Sequence, residues 1–453
     1  MNWLVVNWLL YLLTGSHGAQ TAGQGFVGLD GDGNLALQSP AGRQLMVDGV
    51  ALMKELADLR ALAAQQRSTM SRLNATVVAQ QSAIAQLDLI RLDHGFFGSI
   101  RTIDSSPDNV GLYTSLALTT AGFPVVSYYD NTNGDLKLAV CTDATCSSGT
   151  TIRTIDSTGD IGWYTSLALT TAGFPVISYR DATNRRLQLA VCADTTCSSG
   201  TTIRTIDSAG NVGQDASLVL TAAGFPVISY RDTTNSALKL AMCADATCSS
   251  GATIRTIDST GNVGTQTSLA LTTAGFPVIS YRDETNQDLK LAVCTDATCS
   301  SGATIRTIDS TGDVGWYTSL ALTTADFPVI SYWDAASIDL KLAVCAVATC
   351  SSGTIIRTID SLGAVGSYTS LALTTAGFPV ISYFDFNDFD LKVAVCADAT
   401  CSSGTTIRTI DSAGDVGRYT SLALTTAGFP VVSYRDTTNL DLKVAVCADA
   451  TCF

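Results

Sequence analysis

From about residue 100 onward, apolar and polar positions alternate in short runs, and the alternation itself recurs. In one stretch Leu167 and Leu169 flank Ala168, the run Val176-Ile177-Ser178-Tyr179 follows Pro175, and Leu187, Leu189 and Val191 alternate with Gln188, Ala190 and Cys192. Period two over such lengths is the pattern of a half-buried strand. Turn residues separate the runs: Ala172-Gly173, Asp181-Ala182-Thr183-Asn184 and Ser198-Ser199-Gly200. With Thr151–Ile155 ahead of them, the block predicts four strands. Its Ile-Arg-Thr-Ile-Asp-Ser element starts at Ile100, Ile152, Ile203, Ile254, Ile305, Ile356 and Ile407, in steps of 52 and then 51, with the extra residue near Pro107.

Four strands in a block of about fifty residues fit one blade of a propeller. Seven blocks predict an all-β, seven-bladed β-propeller over residues 99–453. The last block ends at Cys452-Phe453 and lacks the Ile-Arg-Thr-Ile-Asp-Ser strand, whereas the region begins with a spare one. Pairing Ser99–Asp104 with the last block gives every blade four strands, a 1+3 velcro closure. An open array would instead leave exposed edges that need caps.

The preceding pattern is helical. Leu52, Leu56, Leu59, Ala63, Gln66, Met70, Leu73, Val77, Gln80, Ile84 and Leu87 alternate steps of four and three, which predicts a coiled-coil stalk over residues 50–92. One seam cannot bury itself, so a parallel homo-oligomer is expected, a trimer before a dimer; a single helix folded on the globular part is the other reading. Residues 24–48 are Gly-rich, with short alternating pieces at Asn34–Leu37 and Gln44–Val47 around a turn at Pro40-Ala41-Gly42, a short β segment. Residues 1–18 carry an apolar run from Trp3 to Leu13 and small residues Ser16 and Gly18, the form of a signal peptide, without a basic start.

The 14 cysteines all lie in the repeats as C-x4-C pairs: Cys141 with Cys146, Cys192 with Cys197, Cys243 with Cys248, Cys294 with Cys299, Cys345 with Cys350, Cys396 with Cys401, and Cys447 with Cys452. Zinc would need two pairs to meet, and seven pairs cannot be matched two by two. One disulfide per repeat accounts for all of them and implies an oxidising, extracellular setting. Asn74-Ala75-Thr76 is a glycosylation sequon for Asn74. A net charge of −14 disfavours tracking of nucleic-acid phosphates, and no apolar run inside the repeats is long enough to span a bilayer.

Strand parity puts the turn after the second strand and the inter-block connector on one face, and most of the variation falls there. The ligand-binding candidates are therefore Tyr129, Arg180, Arg231, Arg282, Trp333, Phe384 and Arg435 after each Ser-Tyr, the aspartates that follow them (Asp130, Asp181, Asp232, Asp283, Asp334, Asp385 and Asp436), and the connector aromatics Trp163, Tyr164, Trp316, Tyr317, Tyr368 and Tyr419. The connectors also vary at Leu112-Tyr113, Gln214-Asp215 and Thr265-Gln266. Aromatic faces beside charged partners suit a neutral sugar. The competing reading is that arginine and aspartate brace neighbouring blades while the aromatics fill the wedge between them. Asp156 with Asp160, and Asp309 with Asp313, offer oxygen ligands to calcium, against the plainer reading of side-chain-capped turns. His17 and His94 are the only histidines and lie outside the repeats. Sevenfold-equivalent carboxylates do not make a differentiated acid/base pair, so no cofactor and no enzyme are expected.

The wording of residues 115–139, from Ser115-Leu116-Ala117-Leu118-Thr119 through Gly122-Phe123-Pro124-Val125-Val126-Ser127-Tyr128 to Leu136-Lys137-Leu138-Ala139, resembles repeats of secreted or surface β-propeller proteins, which are broadly similar to sialidase-like and lectin-like propellers. The sialidases' unique arginine triad has no counterpart here, because these arginines recur with the repeat. Residues 24–92 look like the stem of a fibre or adhesin. The resemblance implies a secreted, multivalent, lectin-like binder of glycans or surface proteins; a structural or surface-assembly protein is the alternative.

Overall fold

The computed structural model describes residues 26–29, 35–38, 61–73, 75–77 and 98–453. The chain divides into two compact units, Met1–Ile90 and Arg91–Phe453. In the first, β1 (Phe26–Leu29) pairs antiparallel with β2 (Leu35–Gln38). The strand expected around Asn34–Leu37 is present at Leu35–Gln38, with Phe26 opposite Gln38; the turn predicted at Pro40-Ala41-Gly42 and the piece Gln44–Val47 lie outside the described residues. A helix occupies residues 61–73 and 75–77. The signal peptide, Asn74 and the rest of the predicted stalk lie outside the described residues.

In the second unit the alternating runs form seven four-stranded antiparallel sheets, the blades of a seven-bladed propeller. Blade 1 is β4 (Leu112–Leu118), β5 (Pro124–Asp130), β6 (Asp135–Cys141) and β7 (Thr150–Asp156). Strands β8 to β27 (residues 161–411) repeat it as blades 2 to 6. Blade 7 consists of β28 (Val416–Leu424), β29 (Pro430–Asp436), β30 (Asp441–Cys447) and, as fourth strand, β3 (Gly98–Asp104), with Ile100 opposite Ala445.

The blades lock through residues the repeat supplies seven times. The first strand of each blade lines a central channel. Its leucine N–H donates to a serine Oγ of the preceding blade, as in Leu167 to Ser115 (2.9 Å), and Leu116 to Ser421 (2.9 Å) links blade 1 to blade 7. The buried tyrosine of each second strand donates its hydroxyl across the junction, Tyr179 to Asp156 (2.7 Å) and Tyr128 to Asp104 on β3 (2.5 Å). The first-strand glycine allows close approach: Gly264 has φ +86°, and a Cβ there would stand 2.7 Å from the Leu238 Cα of the previous blade. Between the sheets lie fully buried leucines, valines, isoleucines and tyrosines, one cluster per junction.

All seven C-x4-C pairs are disulfides, one in each blade. Cys141 is bonded to Cys146, Cys192 to Cys197, Cys243 to Cys248 and Cys294 to Cys299. Cys345 is bonded to Cys350, Cys396 to Cys401 and Cys447 to Cys452. The first cysteine of each pair ends or follows the third strand. The second, at Cys146, Cys197, Cys248, Cys299, Cys350, Cys401 and Cys452, lies in the loop beyond it with φ near +50°, which turns the chain back far enough for the short bridge to close. No helix among the described residues is long and apolar enough to cross a membrane. The disulfides are consistent with an extracellular protein.

Candidate functional site

Burial divides the sequence-predicted residues into two sets. Asp130, Asp181, Asp232, Asp283, Asp334, Asp385 and Asp436 are 0 or 1% exposed. Each caps the turn that follows it and pairs with a base one strand on, as Asp232 accepts from the Asn235 N–H (3.1 Å) and meets the Lys239 ammonium at 2.8 Å. In blade 2 Arg186 takes the lysine's place, 2.8 Å from Asp181. Hydrogen bonds to Asn235 and Lys239 overcome the cost of burial and hold the Asp232 carboxyl below its ordinary range.

The residues before these aspartates sit at the blade junctions. Arg180 donates to Asn211 (3.0 Å), Arg231 to Asn262 (2.7 Å), Arg282 to Asp313 (2.7 Å) and Arg435 to Asn109 (2.7 Å), each partner belonging to the next blade around the ring. The bracing partner is thus a connector residue of the neighbour, not the aspartate next in sequence. Tyr129 fills the same station by donating to Asp160 (2.6 Å), which also receives the Trp163 indole N–H (2.7 Å). Asp313 likewise receives the Trp316 indole (2.8 Å), and the Arg282 guanidinium lies 4.1 Å from the Trp316 ring centre. Phe384 is fully buried, and Trp333 is half-buried against Trp316 and Tyr317. Of the acids considered for calcium, Asp156 accepts from the Thr158 N–H (3.1 Å) and the Tyr179 hydroxyl (2.7 Å), and Asp160 from Tyr129 and Trp163.

The second set converges on the axis. A β-bulge interrupts the first strand of each blade, for example between Trp163 and Ser166. The bulged residue has φ near +50°: Tyr113, Tyr164, Asp215, Gln266, Tyr317, Tyr368 and Tyr419. Such a bulge re-aims a side chain out of the ladder, and all seven line the central channel with Thr114, Thr165, Ala216, Thr267, Thr318, Thr369 and Thr420. The channel segment holds about 190 Å³. Five of the seven positions form a continuous arc of rings, with centres 4.7 Å apart for Tyr164 and Tyr113, 4.9 Å for Tyr113 and Tyr419, 4.7 Å for Tyr419 and Tyr368, and 4.5 Å for Tyr368 and Tyr317. Burial pushes the phenols of Tyr113, Tyr317 and Tyr419 well above their ordinary range, so they stay protonated donors.

Asp215 and Gln266 close the ring. Among the described residues Asp215 is the only carboxylate in the channel wall. Burial raises its pKa from 3.8 to about 6, against the lowering effects of a Gln266 backbone N–H and of Arg231 and Arg180. Sequence reasoning weighted Trp163 and Trp316 and passed over Tyr113, Asp215 and Gln266. The signal available was their common offset from the glycine two residues before each of them.

No family model matches the sequence, and no curated protein matches it. Solved structures similar to it include the SapL1 lectin in complex with alpha methyl fucoside, at 12% identity and TM-score 0.45, covering 66% of this chain and 97% of that one. A Hadza microbial sialidase is similar at 12% identity and TM-score 0.43, covering 60% and 63%. An ulvanlyase, a polysaccharide lyase, is similar at 8% identity and TM-score 0.47, covering 77% and 94%. These are likenesses of fold alone, to sialidase-like and lectin-like propellers. They correct one expectation: the exclusion of enzymes does not stand, because propellers similar to this one include a sialidase and a lyase. Sevenfold repetition in the frame leaves the channel wall free to differ from blade to blade, as Asp215 does.

Proposed function

We propose that this protein is a secreted or cell-surface binder that recognises glycans, in a lectin-like manner, through the channel-mouth face of its propeller. The supporting observation is the arc of five half-buried tyrosines, with Trp163 and Trp316 beside it. Aromatic faces that carry their own hydroxyl or N–H donors match a sugar, which has apolar C–H faces and a hydroxyl rim. About 190 Å³ is below the roughly 300 Å³ at which pockets for drug-sized ligands begin, so one sugar ring at a time is the appropriate scale.

Oligomerisation through residues 50–92 belongs to the same proposal. Met70, Leu73 and Val77 on the described helix are 69, 59 and 45% exposed, apolar seam positions open to a second copy. Several weak sites on joined heads would gain affinity through avidity. A glycan array probed with the full chain tests the reading. Binding that is lost in Trp163→Ala and Trp316→Ala supports it; the absence of any glycan binding refutes it. The second reading, a structural or surface-assembly role, is favoured by the number of variable-face residues that tie blade to blade, Arg180, Arg231, Arg282 and Arg435 among them.

A further inference from the structure

Blade 3 breaks the pattern of the channel wall at two adjacent positions. In six blades a channel-lining threonine hydroxyl bonds a serine of the preceding blade: Thr165 with Ser127, Thr267 with Ser229 (2.7 Å), Thr318 with Ser280 (2.7 Å), Thr369 with Ser331 (2.7 Å), Thr420 with Ser382 and Thr114 with Ser433 (2.8 Å). In blade 3 Ala216 replaces the threonine, and Ser178 Oγ of blade 2, 0% exposed and directed at that place in the wall, has no hydrogen-bond partner. The residue before Ala216 is Asp215, where five other blades have tyrosine.

The same sector therefore has one more negative charge, one side chain less bulk and one unmet hydroxyl. Among the described residues the channel wall contains no lysine, arginine or histidine. Nor does any basic side chain among them lie within ion-pair distance of Asp215: Arg180 is bonded to Asn211, and Arg231 to Asn262 and Glu284. A half-buried carboxylate with no base within ion-pair distance, only the more distant Arg231 and Arg180, and facing a continuous arc of tyrosine rings, is complementary to a small positive ligand. The carboxylate supplies the counter-charge, and the electron-rich ring faces supply the attraction that ammonium ions find in aromatic cages.

We propose that the axial channel is a binding site for one small organic cation, an ammonium or methylated ammonium, held between the Asp215 carboxylate and the tyrosine arc in the space opened by Ala216. There is one such site per propeller, since only blade 3 has this pair. The site does not depend on the glycan reading.

The test uses the full chain and tetramethylammonium chloride, with 2,2-dimethylpropan-1-ol as a neutral compound of similar shape, titrated at low salt and about pH 8 by calorimetry or ligand-observed NMR. Saturable binding of the cation at one site per chain is expected, at least about tenfold tighter than that of the alcohol. Asp215→Asn should weaken it by about tenfold or more. Ala216→Thr, which restores the wall of the other six blades and so is expected to fold, should weaken it similarly by filling the gap. Binding should also fade as pH falls below about 6, as Asp215 takes up a proton. The groups that face Asp215 are Arg180 from blade 2, Arg231 from blade 3, Glu284 from blade 4 and the phenols of Tyr113 and Tyr164, and neither the arginines nor the phenols change charge in that interval. No saturable binding, equal binding of the neutral alcohol, or binding unchanged in both variants would overturn the proposal.

Discussion

The two faces of the propeller handle repetition in opposite ways. On the disulfide face the loops are near copies. After Cys141 the Asp143 carboxylate accepts from the N–H groups of Thr145 (2.8 Å), Ser147 (3.2 Å) and Ser148 (2.5 Å), and Asp194, Asp245, Asp296 and Asp398 do the same in their blades. On the channel-mouth face the junction stations are filled by arginine with asparagine, arginine with aspartate, tyrosine with aspartate, or by Trp333 and Phe384. The frame needs one answer to the problem of joining blades, and repeats it. The mouth tolerates several answers, and it is there that the ring departs from sevenfold symmetry.

The sharpest way to break this contrast is to damage the frame. Asp232→Ala would leave Lys239, 12% exposed, without its closest counter-charge and the following turn uncapped; a loss of about 3 kcal/mol is expected, read as a lower thermal midpoint. Channel changes should act in the opposite direction. Asp215 has a carboxyl raised from 3.8 to about 6, so its charged form opposes folding above about pH 6. Asp215→Asn should therefore stabilise the ligand-free protein by about 2 kcal/mol at pH 8, with the gain shrinking to nothing as pH falls towards 4. Ala216→Thr gives Ser178 a partner and should add about 1 kcal/mol at any pH, measured by the same melts.

The smallest effect tests the repeated face. Blade 5 has Val347 where the other loops have aspartate. Val347→Asp should raise the thermal midpoint slightly at neutral pH. Hydrogen bonds hold the matching Asp296 carboxyl well below its ordinary 3.8, so that gain should be present above about pH 4 and disappear on further acidification. A gain equal to that of Asp215→Asn would erase the distinction between the faces.

The blades were legible because strand periodicity and turn residues repeat in phase, and the disulfides because every repeat carries one C-x4-C pair and no cysteine is left over. The pairing of Ser99–Asp104 was readable from the last block, which has three strands of its own where the others have four. The roles of the aspartates were not: an acid beside Arg180 or Arg231 reads as a charged site, and only the chain's path shows that it points down into its own turn. The channel was hidden for a different reason. Period two assigns Tyr164 to a ladder position, whereas the bulge and a left-handed φ turn it onto the axis, so residues scattered over about 300 positions become neighbours. Phe26–Leu29 was not legible as a strand because it lies in a Gly-rich stretch with little alternation to mark it.

The shared seventh blade has a consequence for biosynthesis. β3 leaves the ribosome roughly 340 residues before β30, an interval of roughly 20 to 70 s at ordinary elongation rates. Throughout that time its hydrogen-bonding edge lacks its cognate strand, and a neighbouring nascent copy offers an identical substitute. Exchange of this segment between chains, giving linked rings instead of separate ones, is the characteristic error this topology invites.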